Sequence, residues 1–156
     1  MLSQDEKGRT KLYLAASNNR IEEAKKMMKE ANNINIVSEL VNKASSWGNT
    51  PLYIASAYGH LQMAQLLITN GAEIDKADIN DWTPLITASR QDHLEVVKLL
   101  IEHQADVHLK DEECKTALDH ARKYGHPAVE KALRKAGATY TGFFDGVSVF
   151  RCQLVF

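Results

Sequence analysis

The chain has 156 residues, 44% hydrophobic and 25% charged, with 19 basic against 20 acidic side chains and a formal net charge of −1. That length suits one domain, the composition excludes an intrinsically disordered chain, and the even charge leaves no global field to gather duplex nucleic acid or an anionic membrane. The opening Met-Leu-Ser-Gln-Asp-Glu-Lys-Gly has no apolar h-region of a signal peptide, and no apolar run approaches the ~20 residues of a membrane span. Two cysteines, Cys114 and Cys152, form no Cys-x-x-Cys pair and no disulfide framework, so a reducing compartment, the cytoplasm or the nucleus, is expected.

A repeat governs the chain. Thr10, Thr50, Thr83 and Thr116 stand 40, 33 and 33 residues apart. Leucine follows each after two positions (Leu12, Leu52, Leu85, Leu118), and alanine after five (Ala15, Ala55, Ala88, Ala121). Histidine follows the last three after ten (His60, His93, His126), and a large apolar residue follows all four after seventeen (Met27, Leu67, Leu100, Leu133). Each threonine is expected to cap a short helix, with Pro51 and Pro84 fitting the first turn. The Leu and Ala columns share one face of that helix, and the small Ala admits a close neighbour. Gly59 and Gly125 break the first helix, and a second follows with apolar spacing, as in Leu61–Ile68 and Leu94–Ile101. Gly71 and Gly137 stand where a left-handed C-cap is wanted, and Gln104 holds that column in the third unit.

In chain order, the first unit carries a polar second helix over Ile21–Glu30 and then seven extra residues around Ala31–Val37. The fourth unit's second helix, Pro127–Ala136, is again polar, as expected at the ends of a complete array. Residues 139–156 leave the pattern as an apolar tail, in which Asp145-Gly146 between β-formers signals a hairpin. Three readings of the tail stay open: folded over the last repeat, a disordered or cloning-derived segment, or a peptide or strand edge read by a partner.

These columns resemble the ankyrin repeat family, whose consensus is Gly-x-Thr-Pro-Leu-His-x-Ala…Gly-His…Leu-Leu…Gly-Ala. The best copy is Gly48-Asn-Thr-Pro-Leu-Tyr-Ile-Ala-Ser-Ala-Tyr-Gly-His60, followed by Leu66-Leu67 and Gly71-Ala72. The resemblance implies an all-α solenoid of helix–turn–helix–loop units: four repeats over residues 1–138 (about 5–44, 45–77, 78–110 and 111–138), then the tail. In the family His column stand Tyr13, Tyr53, Ile86 and Asp119, so the hydrogen bonds that the histidine makes in the family are not expected to carry over.

No catalytic constellation emerges, and an enzyme is not expected. His60, His93 and His126 read as bonds between loops; His103, His108 and His120 read as single surface or packed histidines. His103 and His108 with Asp106 are too few for a zinc site. Cys114 beside Lys115 lacks an identifiable base, and no glycine-rich phosphate loop is present. Neither a metal nor another cofactor is expected.

The resemblance implies binding on a concave face made by finger tips and the exposed ends of the first helices. There this sequence supplies Trp47, Asn49 and Tyr58; Asn80, Trp82, Arg90 and Gln91; and Glu112, Lys115, Lys123 and Tyr124. Both tryptophans of the chain are among them, and Trp, Tyr and Arg dominate binding hot spots. The alternative is that Trp47 and Trp82 pack on neighbouring fingers and only brace them. The expected function is a non-catalytic module (adaptor, inhibitor or effector), a monomer holding another protein or peptide, without duplex nucleic acid or membrane. The alternative is a small molecule or nucleotide stacked on finger aromatics, with Trp82 and Arg90 the best pair.

Overall fold

The computed structural model describes residues 3–31 and 34–141. Among them it has nine α-helices and no strand: α1 Lys11–Ser17, α2 Ile21–Glu30, α3 Ile34–Asn42, α4 Pro51–Ala57, α5 Leu61–Thr69, α6 Pro84–Arg90, α7 Leu94–Glu102, α8 Ala117–Lys123 and α9 Pro127–Lys135.

Every threonine of the repeat sits in extended backbone before a seven-residue helix, and its Oγ1 accepts from the N–H three residues on, at 3.1–3.3 Å. Each such cap stabilises its helix by about 1 kcal/mol. In the fourth unit Asp119 completes a capping box, its carboxylate accepting from the Thr116 N–H at 2.9 Å. That is what the departure from the family histidine supplies there. The two tyrosines reach forward instead, Tyr13 meeting Asn49 of the next unit and Tyr53 meeting Thr87 and Asp78, while Ile86 is simply buried. Burial, together with the Asp78 carboxylate, pushes the Tyr53 phenol up to about 12.

The helices stack in two rows. α1, α4, α6 and α8 pack in succession, and α2, α5, α7 and α9 pack behind them. The Leu and Ala columns form the seam: Leu12, Leu52, Leu85, Leu118 and their alanines are all buried. Met63, Leu67, Leu100 and Leu133 close it from the second row. The histidines ten residues after Thr50, Thr83 and Thr116 stand as N-caps of α5, α7 and α9 but make no local cap. Their Nε2–H groups instead donate back to the previous unit, His60 to the Ser17 carbonyl at 3.2 Å, His93 to Ala57 at 3.0 Å and His126 to Arg90 at 2.9 Å.

The extra residues of the first unit have a structural outcome that period counting does not give: they lead into α3. It buries Leu40 and Val41. Asn42 at its end donates to the Gly71 carbonyl and accepts from the Glu73 N–H, at 2.9 and 2.8 Å. Gln104 has φ +65°, so its column is indeed left-handed and glycine would suit it. Gly48 is needed more strictly, because at φ +79° an added Cβ would meet the Asp78 backbone at 2.9 Å.

Past Ala138 the chain crosses the end of the stack. The Tyr140 ring lies 4.7 Å from the Arg122 guanidinium and 4.9 Å from that of Arg134, and its hydroxyl donates to Glu130 at 2.5 Å. Thr141 Oγ1 bonds the Asp119 carboxylate at 3.1 Å. The expected hairpin at Asp145-Gly146 lies outside the described residues. No described helix is long and apolar enough to cross a membrane.

Candidate functional site

The finger loops are built by a second column, five residues before each threonine: Asp5, Ser45, Asp78 and Asp111. Each side chain folds back on its own loop. Asp78 Oδ1 accepts from Asn80 and Trp82, both at 2.9 Å; Asp111 Oδ1 accepts from Glu113 and Lys115, both at 2.9 Å. Adjacent fingers are then joined by single backbone bonds: Ser46 N to Lys7 O at 3.0 Å, Ile79 N to Trp47 O at 3.2 Å, and Glu112 N to Asn80 O at 3.1 Å.

This scaffold presents Trp47 and Ile79 side by side, 62% and 60% exposed, with Tyr58 at the end of α4 56% exposed. Asn49 turns the other way; it is half-buried toward Tyr13, and its side-chain oxygen has no hydrogen-bond partner among the described residues. Asn80, Gln91 and Glu112 are exposed. Lys115 pairs with Glu113 beside it, and that ion pair holds the ammonium above and the carboxyl below their ordinary ranges.

The remaining predicted residues converge. The Arg90 guanidinium lies 5.0 Å from the Trp82 ring centre and 5.1 Å from that of Tyr124, and Lys123 lies 5.4 Å from the same tyrosine ring. Beneath them His120 packs on Trp82 at 4.6 Å and stacks with Tyr124 at 6.3 Å. Trp82 is thus half-buried and braced, while Trp47 is open.

Sequence reasoning missed the pair underneath. His120 Nε2–H donates to Asp111 Oδ2 at 2.6 Å, with 3% and 0% of the two side chains exposed. Burial raises the Asp111 carboxyl, but the bonds from His120, Lys115 and Glu113 outweigh it and leave the group below the usual carboxylate range. The recurrence of Asp five residues before threonine was a signal for this position. Nothing in the sequence places His120 against it, since the same column holds Leu14, Ile54 and Thr87 in the other units. This dyad is sealed from solvent. Cys114, in left-handed backbone at φ +61°, is not a free thiol, which removes it as a candidate nucleophile. Among the described residues no three His, Cys, Asp or Glu side chains gather as a metal site.

Two rows of paired helices, stapled by histidines and fringed by capped finger loops, define a helical repeat protein. Two family models, described as ankyrin repeats (3 copies) and ankyrin repeats (many copies), match residues 1–78 and 72–121 respectively, and the chain belongs to the ankyrin repeat family. It is similar to Ankyrin repeat and SOCS box protein 12 of Homo sapiens, 44% identical over 41 residues, which is 25% of this chain and 13% of that protein. It is also similar to the potassium channel AKT1 of Oryza sativa, 50% identical over 42 residues, covering 27% of this chain and 4% of the channel. To the E3 ubiquitin-protein ligase XBAT32 of Arabidopsis thaliana it is 35% identical over 46 residues, 30% of this chain and 9% of the ligase. The matched stretches are thus a small fraction of each relative's length. Ankyrin repeats generally serve as non-catalytic modules that bind other proteins.

Proposed function

We propose that this chain is a monomeric interaction module, an adaptor, inhibitor or effector, that holds a protein or peptide on a concave face formed by its fingers and first-helix ends. One observation carries the reading. Trp47, Ile79 and Tyr58 are large apolar side chains left mostly in water, although the backbone bond between Trp47 and Ile79 holds them in place. Exposed apolar surface on a fixed scaffold is the usual form of a docking patch. The nucleotide alternative is less favoured, because a base would have to displace Arg90 or His120 from the Trp82 ring.

The test compares proteins captured by the wild-type chain and by Trp47→Ala. The exposed ring contributes little to folding, so stability should stay within about 0.5 kcal/mol. Partner affinity should fall by about 2 kcal/mol or more, as for a hot-spot aromatic. Partners held equally by both proteins would move the site off the fingers.

A further inference from the structure

We propose that Arg90 is a preset receptor for a carboxylate on the partner, so that the docking face takes an acidic peptide segment at the α6–α8 end; this rests on the docking reading above. Arg90 ends α6, and its backbone carbonyl is pinned by His126 at 2.9 Å. Its guanidinium is flanked by the faces of Trp82 and Tyr124, at 5.0 and 5.1 Å. Ring faces attract the cation but offer no strong acceptor for its N–H edge. Among the described residues no carboxylate pairs with it, whereas Arg9, Arg20 and Arg134 each have one. Lys123, exposed and also without an ion pair among the described residues, brings a second cation to the Tyr124 ring.

The buried carboxylate behind this cluster does not serve this arginine. Asp111 is wholly occupied by His120 and its own finger amides. What remains is a planar fork of donors on a stacked, ordered side chain, the geometry that receives a carboxylate by two parallel bonds. Because the rings already restrict the guanidinium, little further freedom is lost on binding. The charge is complementary to an acidic segment, and the neighbouring Trp47–Ile79 patch would accept an apolar residue of the same peptide.

The probe is the capped octapeptide Glu-Ala-Glu-Ala-Glu-Ala-Glu-Ala, with its Gln-for-Glu counterpart as control, titrated into the whole protein at low salt and followed by proton–nitrogen NMR. The Glu peptide should move the Arg90 Nε–Hε and Trp82 indole signals, and the Gln peptide should not. Arg90→Gln should weaken the Glu peptide by about tenfold or more, with Arg90→Lys in between because it keeps charge but loses the fork. Thermal melts of both variants confirm that they fold, and the Lys variant carries the comparison if the Gln variant does not. Equal shifts from both peptides, shifts confined to other lysines, or no shift at millimolar peptide would each overturn the proposal. The two readings separate cleanly. If captured partners need Trp47 while the acidic peptide ignores Arg90, the docking face stands and the receptor falls; the opposite pattern retains the receptor and rejects the Trp47 site.

Discussion

Replacing Asp111 with alanine tests whether the buried dyad holds the fourth finger to the stack. The substitution removes three hydrogen bonds at once, from His120 at 2.6 Å and from the Glu113 and Lys115 amides at 2.9 Å each. The two amides lie on a loop near solvent, and water can replace the carboxylate there. His120 cannot be rescued that way, because only 3% of its side chain is exposed and its other nitrogen is already buried without a partner among the described residues. Breaking a buried pair from one side costs about 3–5 kcal/mol. Asp111→Asn keeps an acceptor for the finger amides and should lose only about 1–2 kcal/mol. Urea unfolding followed by circular dichroism measures both. The carboxyl titrates below its ordinary range in the folded protein, so its contribution is full above about pH 4, where an unfolded aspartate ionises, and disappears as pH falls through the lower folded value. The gap between wild type and Asp111→Asn should therefore narrow in acid. A loss below about 1 kcal/mol for Asp111→Ala, against the expected buried-pair cost, would refute the reasoning.

Two further outcomes are expected. Gln104→Gly relieves a left-handed residue at φ +65° and should stabilise by about 1 kcal/mol, raising Tm by roughly 3 °C; an unchanged or lower melting temperature would contradict it. A chain ending at Thr139 should be less stable by about 1–2 kcal/mol than one ending at Thr141, since it forfeits the Tyr140 contacts with Arg122, Arg134 and Glu130, and equal urea midpoints would show those contacts to be idle.

The stack itself was legible because its causes repeat. A capping hydroxyl, a Leu–Ala seam and a backward-reaching histidine each leave a column, and a column shows in a single sequence. α3 did not show, because it occurs once; its nine residues have no second copy against which to be aligned. Counting from threonine placed the finger tips and paired Trp82 with Arg90, but that Tyr124 joins them, and that Trp47 and Tyr58 lie open, is seen only in the structure. Counting could not tell that Asn49 turns toward Tyr13 or that Trp82 is covered, since those outcomes depend on which side chain the adjacent unit supplies. The Asp111–His120 pair belongs to the same class: its two columns were readable singly, and their meeting was not.

The first junction differs from the others in one respect. His60 and Ser17 are 43 residues apart, whereas His93 and His126 each reach across 36, yet the three bonds measure 3.2, 3.0 and 2.9 Å. An insertion of seven residues has therefore been absorbed without disturbing the step between units. Spacing along the polypeptide is a by-product in this architecture, while the distance from one unit to the next is set where their surfaces touch. Length can be added between two units as freely as slack is added to a rope between two fixed cleats.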